Sequence, residues 1–177
     1  MATLCLFGSA APPVHDIARP VADARERGWD VCLGLTPTAH GWLAARTAEL
    51  ERLTGHPVRS AYKRPGTEDV WPPADVIAFA PATFNSVNSW ALGLTGTFVI
   101  GVVAEAVGKD IPLVTMPCVN TAFVRHRQFE RSVAELRAMG VEVLYGEGGF
   151  VPHEPGLSRP GAYPWDLLLD AVDRFRT

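Results

Sequence analysis

Short apolar runs alternate along this chain with segments whose apolar residues recur every three or four positions. Thr3 to Phe7 reads as a first strand, closed by Gly8-Ser-Ala-Ala-Pro-Pro13. Val14, Ile17, Ala18, Val21 and Ala24 then recur at helical spacing up to Gly28. Pro20 falls inside that pattern and either kinks the helix or marks a later start. Trp29 to Leu35 reads as a second strand ending in Thr36-Pro-Thr38, and a helix over roughly 40–54 stops at Gly55. A short extended piece near Val58 leads into a polar, proline-rich loop, Lys63 to Pro73. The continuous apolar run Val76 to Ala80 has the pattern of a buried parallel strand that stops at Pro81. Helices follow from about Asn85 to Leu92 and from Thr97 to Val107, the latter bounded by Gly108. Ile111 to Met116 is the next strand, Thr121 to Met139 a helix, and Val141 to Tyr145 the last strand. A closing helix starts near Pro164 and carries Leu167, Leu168 and Val172.

This alternation predicts an α/β fold: one doubly wound parallel sheet with helices on both faces. There is no internal repeat and no linker long enough to separate two domains, so residues 1–177 read as one domain. The stretch 146–161 is rich in Gly and Pro, lacks periodicity and is long for a connection in a compact α/β protein. It reads as a lid.

Composition narrows the function classes. The chain is 47% hydrophobic and 20% charged, as in ordinary globular proteins. A net charge of −3 argues against a broad nucleic-acid or anionic-membrane surface. No run approaches the roughly 18 apolar residues of a membrane span. Strand-like sequence begins almost at once with no basic region before it, so no secretory signal is expected and the expected compartment is the cytoplasm. Cys5, Cys32 and Cys118 have no metal-type spacing. Cys5 and Cys32 read as small core residues, which suits a reducing compartment. No two histidines have useful metal-ligand spacing, and no metal is expected.

Candidate chemistry gathers at the strand ends. Gly8-Ser9 follows the first strand, Thr36 the second, and Pro81 to Ser86 the run ending at Ala80; Pro117-Cys-Val-Asn120 ends another. Parallel strands point the same way, so these segments converge on the edge where open α/β sheets bind ligands. Gly8 allows close backbone approach, and Ser9 offers a hydroxyl near a helix start, suited to phosphate. Taken singly, each is also an ordinary turn or cap residue. The convergence points to a phosphorylated or polar heteroaromatic ligand. Trp71, Trp90 and Phe84 are candidates to stack on such a ring, with Trp90 equally at home in the core or at a subunit contact.

The series Gly8-Ser9-x-Ala11, Thr36, Ala74-Asp75, Pro81-Ala82-Thr83-x-Asn85-Ser86 and Pro117-x-x-Asn120 resembles the homo-oligomeric flavin-containing cysteine decarboxylases. That group includes phosphopantothenoylcysteine decarboxylase and the epidermin-type peptidyl-cysteine decarboxylases. The resemblance runs from residue 3 to about 155 and implies a Rossmann-like flavoprotein fold with FMN as cofactor. It implies a phosphate contact for Ser9, a place near the flavin or ribityl chain for Thr36, and further phosphate and ring contacts for Thr83, Asn85 and Ser86. Asn120 matches the asparagine that holds the substrate's carboxylate, and residues 146–155 fall where the family has its substrate lid. The implied reaction is oxidative decarboxylation of a C-terminal cysteine through a thioaldehyde to an enethiol. The implied partners are a cysteine-containing peptide or small thiol and further copies of the chain in a trimer-based homo-oligomer. The apolar run Phe98 to Ala104 fits such a contact or a wholly buried helix.

Three departures stand out. Thr67 occupies the position of the family's catalytic histidine, Phe123 replaces a methionine after the asparagine motif, and the lid has no cysteine. His40, His126 and His153 are the substitutes to consider, and Cys118 sits in a binding-edge turn. The catalytic candidates are Asn120, His126 and Cys118. Arg125 and Arg127 flank His126 and read as solvated helix charge or as a carboxylate or phosphate contact. The leading expectation is an FMN enzyme acting on a peptide cysteine. A non-catalytic flavin-binding regulatory or partner subunit is the alternative, and a flavin prenyltransferase relative a weaker one.

Overall fold

The computed structural model describes residues 1–176. Its centre is a sheet of five strands: β1 (Thr3–Gly8), β2 (Asp30–Leu35), β3 (Val76–Ala82), β4 (Leu113–Pro117) and β5 (Glu142–Val143). They lie in the order β2-β1-β3-β4-β5, and every pairing is parallel. Eight helices surround it: α1 (Ala18–Glu26), α2 (Pro37–Trp42), α3 (Thr47–Thr54), α4 (Phe84–Ala91), α5 (Phe98–Gly108), α6 (Thr121–Val124), α7 (Arg127–Ala138) and α8 (Trp165–Asp173). The chain winds one way from β1 to β2 and the other way through β3, β4 and β5. The crevice between β1 and β3 is therefore the topological switch point, where a ligand fits without crossing a connection.

All residues of β1, β3 and β4 are buried, which explains why their sequences read as continuous apolar runs rather than alternations. Cys5 and Cys32 face each other in register, buried and free. The Cys32 hydrogen bond and burial push the Cys5 thiol far above its ordinary range, so it stays protonated. Phe7, fully buried, meets Phe79 and Phe98 edge-on and packs against Trp71. On the opposite side of the sheet, α8 buries Trp165, Leu168, Leu169 and Val172. Asp173 at its end accepts from the Trp29 indole at 2.8 Å and from Arg27 at 2.9 Å.

Several boundaries differ from the sequence reading. α1 starts at Ala18, so Pro20 sits in its first turn, where a missing N–H costs nothing. The helix expected over 40–54 begins earlier, with Pro37 at its first position, and breaks at Leu43 before ending on Gly55 in the left-handed region. β3 does not stop at Pro81. Proline lacks a donor, but its carbonyl and that of Ala82 still accept from the Ser9 and Cys118 N–H groups, which carries the strand to Ala82. The helix expected over 121–139 is two helices. His126 leaves helical geometry, and its Nδ1 accepts from the Gln128 N–H at 3.1 Å, capping α7. The apolar α5 lays Phe98, Val99, Ile100, Val103 and Ala106 into the core.

Each edge strand has part of its outer backbone partnered. The piece near Val58 pairs beside β2 through Arg59, whose N–H donates to the Leu33 carbonyl and whose carbonyl accepts from Leu35 N–H. At the far side the Arg137 guanidinium donates to the carbonyls of Val143 and Tyr145. Among the described residues no helix is long and apolar enough to cross a membrane.

Candidate functional site

A cavity of about 930 Å³ opens at the C-terminal end of the sheet, over the switch point. The turns after β1, β2, β3 and β4 form its floor, because parallel strands deliver all four to one edge. Residues 94–100, leading into and opening α5, form one wall; His153 and Ser158 of the long loop reach it from above.

The floor is held by one hydroxyl. Ser9, 2% exposed, donates through Oγ to the Pro81 carbonyl at 2.7 Å and accepts from the Thr83 N–H at 2.8 Å. Its own N–H also donates to the Pro81 carbonyl at 2.9 Å. This bridge ties the turn after β1 to the turn after β3. It also spends the Ser9 hydrogen inside the protein, so Ser9 braces the floor. Thr83 caps α4: its Oγ1 accepts from the Ser86 N–H and donates to Ser86 Oγ. The first-turn N–H groups of Phe84 and Asn85 lie beyond the reach of any intrahelical acceptor. They leave the positive end of the α4 dipole on the cavity wall. The α5 N-terminus also meets the cavity at Thr97, whose buried Oγ1 has no partner.

The predicted residues Ser9, Ala11, Thr36, Thr83, Asn85, Ser86, Cys118 and Asn120 all line this one cavity. Gly8, Pro81 and Ala82 do not. Gly8 serves packing: a Cβ there would lie 3.2 Å from Val14 and 3.4 Å from Leu35, so the absent side chain makes room for the core rather than for a ligand. Pro81 and Ala82 lie beneath the floor, fully enclosed. Asn120 caps α6, its Oδ1 accepting from the Phe123 N–H at 3.0 Å. That bond turns the two amide hydrogens of Nδ2 away from the helix.

The other candidates take different places. His126 caps α7, exposed and outside the cavity, and meets the Phe84 edge at 5.4 Å. Burial pushes the Cys118 thiol up to about 11, so it is a protonated wall group and a poor nucleophile at neutral pH. Of the aromatic candidates only Phe84 lines the cavity, stacked on Phe123 at 4.6 Å. Trp90 is buried against Phe79, and Trp71 packs on Phe7 and Phe98 beneath Arg59. Thr67 lies in the exposed loop 61–70, bonded to the Arg64 carbonyl and outside the cavity. Arg125, on the turn between α6 and α7, and Arg127, the first residue of α7, are exposed.

Sequence reasoning missed the wall formed by Leu94, Gly96, Thr97 and Ile100, and missed Thr38, Ser89 and Ser158. Thr97, the residue before a strongly apolar helix, was the available signal. Among the described residues no lysine, arginine, aspartate or glutamate lines the cavity. Anionic groups inside it would be met by hydroxyls, amides and two helix N-termini.

The profile of the Flavoprotein family matches residues 11–176. The chain belongs to the Flavoprotein family. No curated protein matches it. Among solved structures, this Flavoprotein chain is similar to TvaF, an FMN-dependent cysteine decarboxylase from thioviridamide biosynthesis, with 20% identity and a TM-score of 0.74 over 99% of this chain and 98% of that one. A PPC decarboxylase mutant is 17% identical with a TM-score of 0.70, over 99% and 98% of the two chains. AnUbiX (PadA1), in complex with FMN and dimethylallyl pyrophosphate, is 11% identical with a TM-score of 0.66, over 80% and 76%. At these identities the three share the fold of this Flavoprotein-family member.

Proposed function

We propose that this chain holds FMN in the 930 Å³ cavity and serves the oxidative decarboxylation of a C-terminal cysteine in a peptide or related thiol. The observation that carries the reading is one uncharged cavity at the switch point, joining two helix N-termini to an asparagine amide with free hydrogens. The volume lies within the range of roughly 300–1,000 Å³ usual for cofactor sites. The orphaned Thr97 hydroxyl and the unpaired first-turn amides of α4 are groups that a polar cofactor would satisfy.

In this reading Thr36, Ser86 and the Phe84 and Asn85 amides hold the phosphate and polar ring edge, while Ser9 keeps their turns in place. When bound, FMN supplies an acceptor for two electrons from the cysteine Cα–Cβ–S unit. Asn120 grips the substrate carboxylate through Nδ2 without adding a countercharge, so the group leaves as neutral carbon dioxide. Phe84 and Phe123 give a flat apolar wall. Loop 146–161 covers the site and excludes water. The chain works as a homo-oligomer, trimer-based, which light scattering at dilute concentration tests against the 19.1 kDa monomer.

The test is an absorbance scan of purified protein, then anaerobic mixing with a panel of C-terminal cysteine peptides. Flavin absorption and its bleaching by a peptide are expected. Asn120→Ala should keep the flavin and lose about 2–3 kcal/mol of substrate stabilisation, or roughly 30- to 150-fold in rate. Because Asn120 is also a helix cap, Asn120→Asp is the cleaner variant: it keeps the cap acceptor and repels the substrate carboxylate. A colourless protein that FMN does not reconstitute, or full turnover by Asn120→Asp, would overturn the reading. A second reading, a flavin-binding subunit without catalysis, is favoured by the position of Thr67 outside the cavity. A yellow protein inert to every peptide is its signature.

A further inference from the structure

A cysteine substrate reaches an enzyme near neutral pH mostly as the thiol. Its proton needs an acceptor, and the cavity offers few. Among the described residues only two lining side chains ionise in the ordinary range of pH, Cys118 and His153. Cys118 stays protonated, because burial raises its thiol to about 11. His126 caps α7 outside the cavity, and His40 on α2 does not line it.

His153 stands where the main cavity meets a smaller one of about 300 Å³, and together with Cys118 and Ser158 it lines both. Its backbone is pinned. The His153 carbonyl accepts from the Thr121 N–H at 2.9 Å, and His153 and Asn120 are partners in a parallel bridge. Backbones paired in this way lie roughly 4.8 Å apart. The two side chains therefore leave neighbouring positions of paired backbone, and both line the main cavity. The ring tautomer is also set. Nδ1 lies 3.0 Å from the Glu154 carbonyl, which only accepts, so Nδ1 carries the hydrogen. Nε2 is then a lone pair with no hydrogen bond to the protein.

The geometry points to His153 Nε2 as the acceptor of the substrate thiol proton, acting beside Asn120 on the two ends of one cysteine residue. In this step the S–H bond breaks and its electron pair stays on sulfur. A N–H bond forms at Nε2, and the imidazole becomes an imidazolium. No electrons change hands. The groups around the ring are compatible with that charge. The Glu154 carboxylate follows in the chain and is anchored by the Thr121 hydroxyl at 3.1 Å. Arg159, Tyr163 and Cys118 share the smaller cavity, and burial keeps both Tyr163 and Cys118 protonated. Arg159 is exposed, so solvent screens its charge. The inference rests on the decarboxylase reading above and adds the base that Thr67 does not supply.

Two measurements test it. The first is NMR of the His153 ring in protein loaded with reduced FMN, which binds substrate without turnover. A C-terminal cysteine peptide should drive the ring to the imidazolium form, whereas its serine counterpart should not. The second is His153→Gln, which should keep flavin absorption and KM and lose about 10²- to 10⁴-fold in kcat. That loss should shrink as pH rises and the thiol ionises unaided. Turnover by wild type with an unchanged kcat and pH profile in His153→Gln sinks this proposal alone, as does a ring indifferent to the cysteine peptide. A wild type that neither binds nor turns over cysteine peptides sinks the decarboxylase reading and this proposal together.

Discussion

The floor and the roof of the cavity are built on different principles. The floor consists of turns at the ends of four packed strands, cross-braced by Ser9 and laid over fully buried Phe7 and Phe79. The roof is the loop 146–161, whose Val151 and Leu157 are 76% and 65% exposed. Its ties to the rest of the protein include the His153–Thr121 backbone bond, the Glu154–Thr121 bond, the Phe150 N–H to the Leu144 carbonyl, and the packing of buried Phe150 on Tyr163. A site of this kind separates two tasks. In the proposed reading, precision in holding the cofactor comes from the sheet, and admission of the substrate from the exposed loop.

Four substitutions probe that contrast, in falling order of effect. Phe7→Ala empties the packing under the floor and should cost about 3–5 kcal/mol, read as a large drop in the urea midpoint. A loss below 1 kcal/mol would mean that the floor does not depend on the core. Ser9→Ala strands the Thr83 N–H and should cost about 1–3 kcal/mol, with weaker flavin retention measured by ultrafiltration. Retention equal to wild type would remove Ser9 from its bracing role. Tyr163 joins the two regions: its buried hydroxyl donates to the Met116 carbonyl at 2.6 Å directly behind the floor. Tyr163→Phe should cost about 1 kcal/mol, and a larger loss would mean that the roof is more firmly anchored than its exposure suggests. Leu157→Ser on the roof should change the unfolding free energy by no more than about 0.5 kcal/mol while altering KM for peptides.

Away from both regions, acid gives a fifth check. Burial alone would raise the Asp173 carboxyl, but its bonds to the Trp29 indole and Arg27 outweigh this and hold it below the usual range. The folded form therefore binds this proton less readily than the unfolded chain. The contribution is present at neutral pH and is lost as pH falls through the carboxylate range. Asp173→Asn should be less stable than wild type at neutral pH, with the gap closing in acid; a constant gap would argue against linkage.

The floor was legible because strand and helix leave opposite marks on sequence. Val76 to Ala80 is continuously apolar, and Thr83, Asn85 and Ser86 interrupt it at a helix start, so both place and polarity were visible. The use of each residue there was less visible. Gly8 and Ser9 read as ligand contacts; their packing against Val14 and bond to the Pro81 carbonyl were not readable, because both partners come from tertiary contact. The break between α6 and α7 was hidden because the helix-compatible pattern runs through it, while the decisive bond is local: His126 Nδ1 to the Gln128 N–H. The roof carries no periodicity at all. His153 was therefore one loop histidine among others, and only its pairing with Asn120 distinguishes it.

The two arginines at the margins of the sheet have a further consequence. Exposed strand borders are templates on which other chains add and aggregate. Arg59 supplies the backbone partner of β2, and the Arg137 side chain occupies the carbonyls beyond β5, itself only two residues long. Each border thus has part of its backbone occupied, at Leu33 and Leu35 on one side and at Val143 and Tyr145 on the other. A foreign strand seeking either border would first have to displace an arginine, so each edge carries a local obstacle to the fibril-like growth that an open parallel sheet invites.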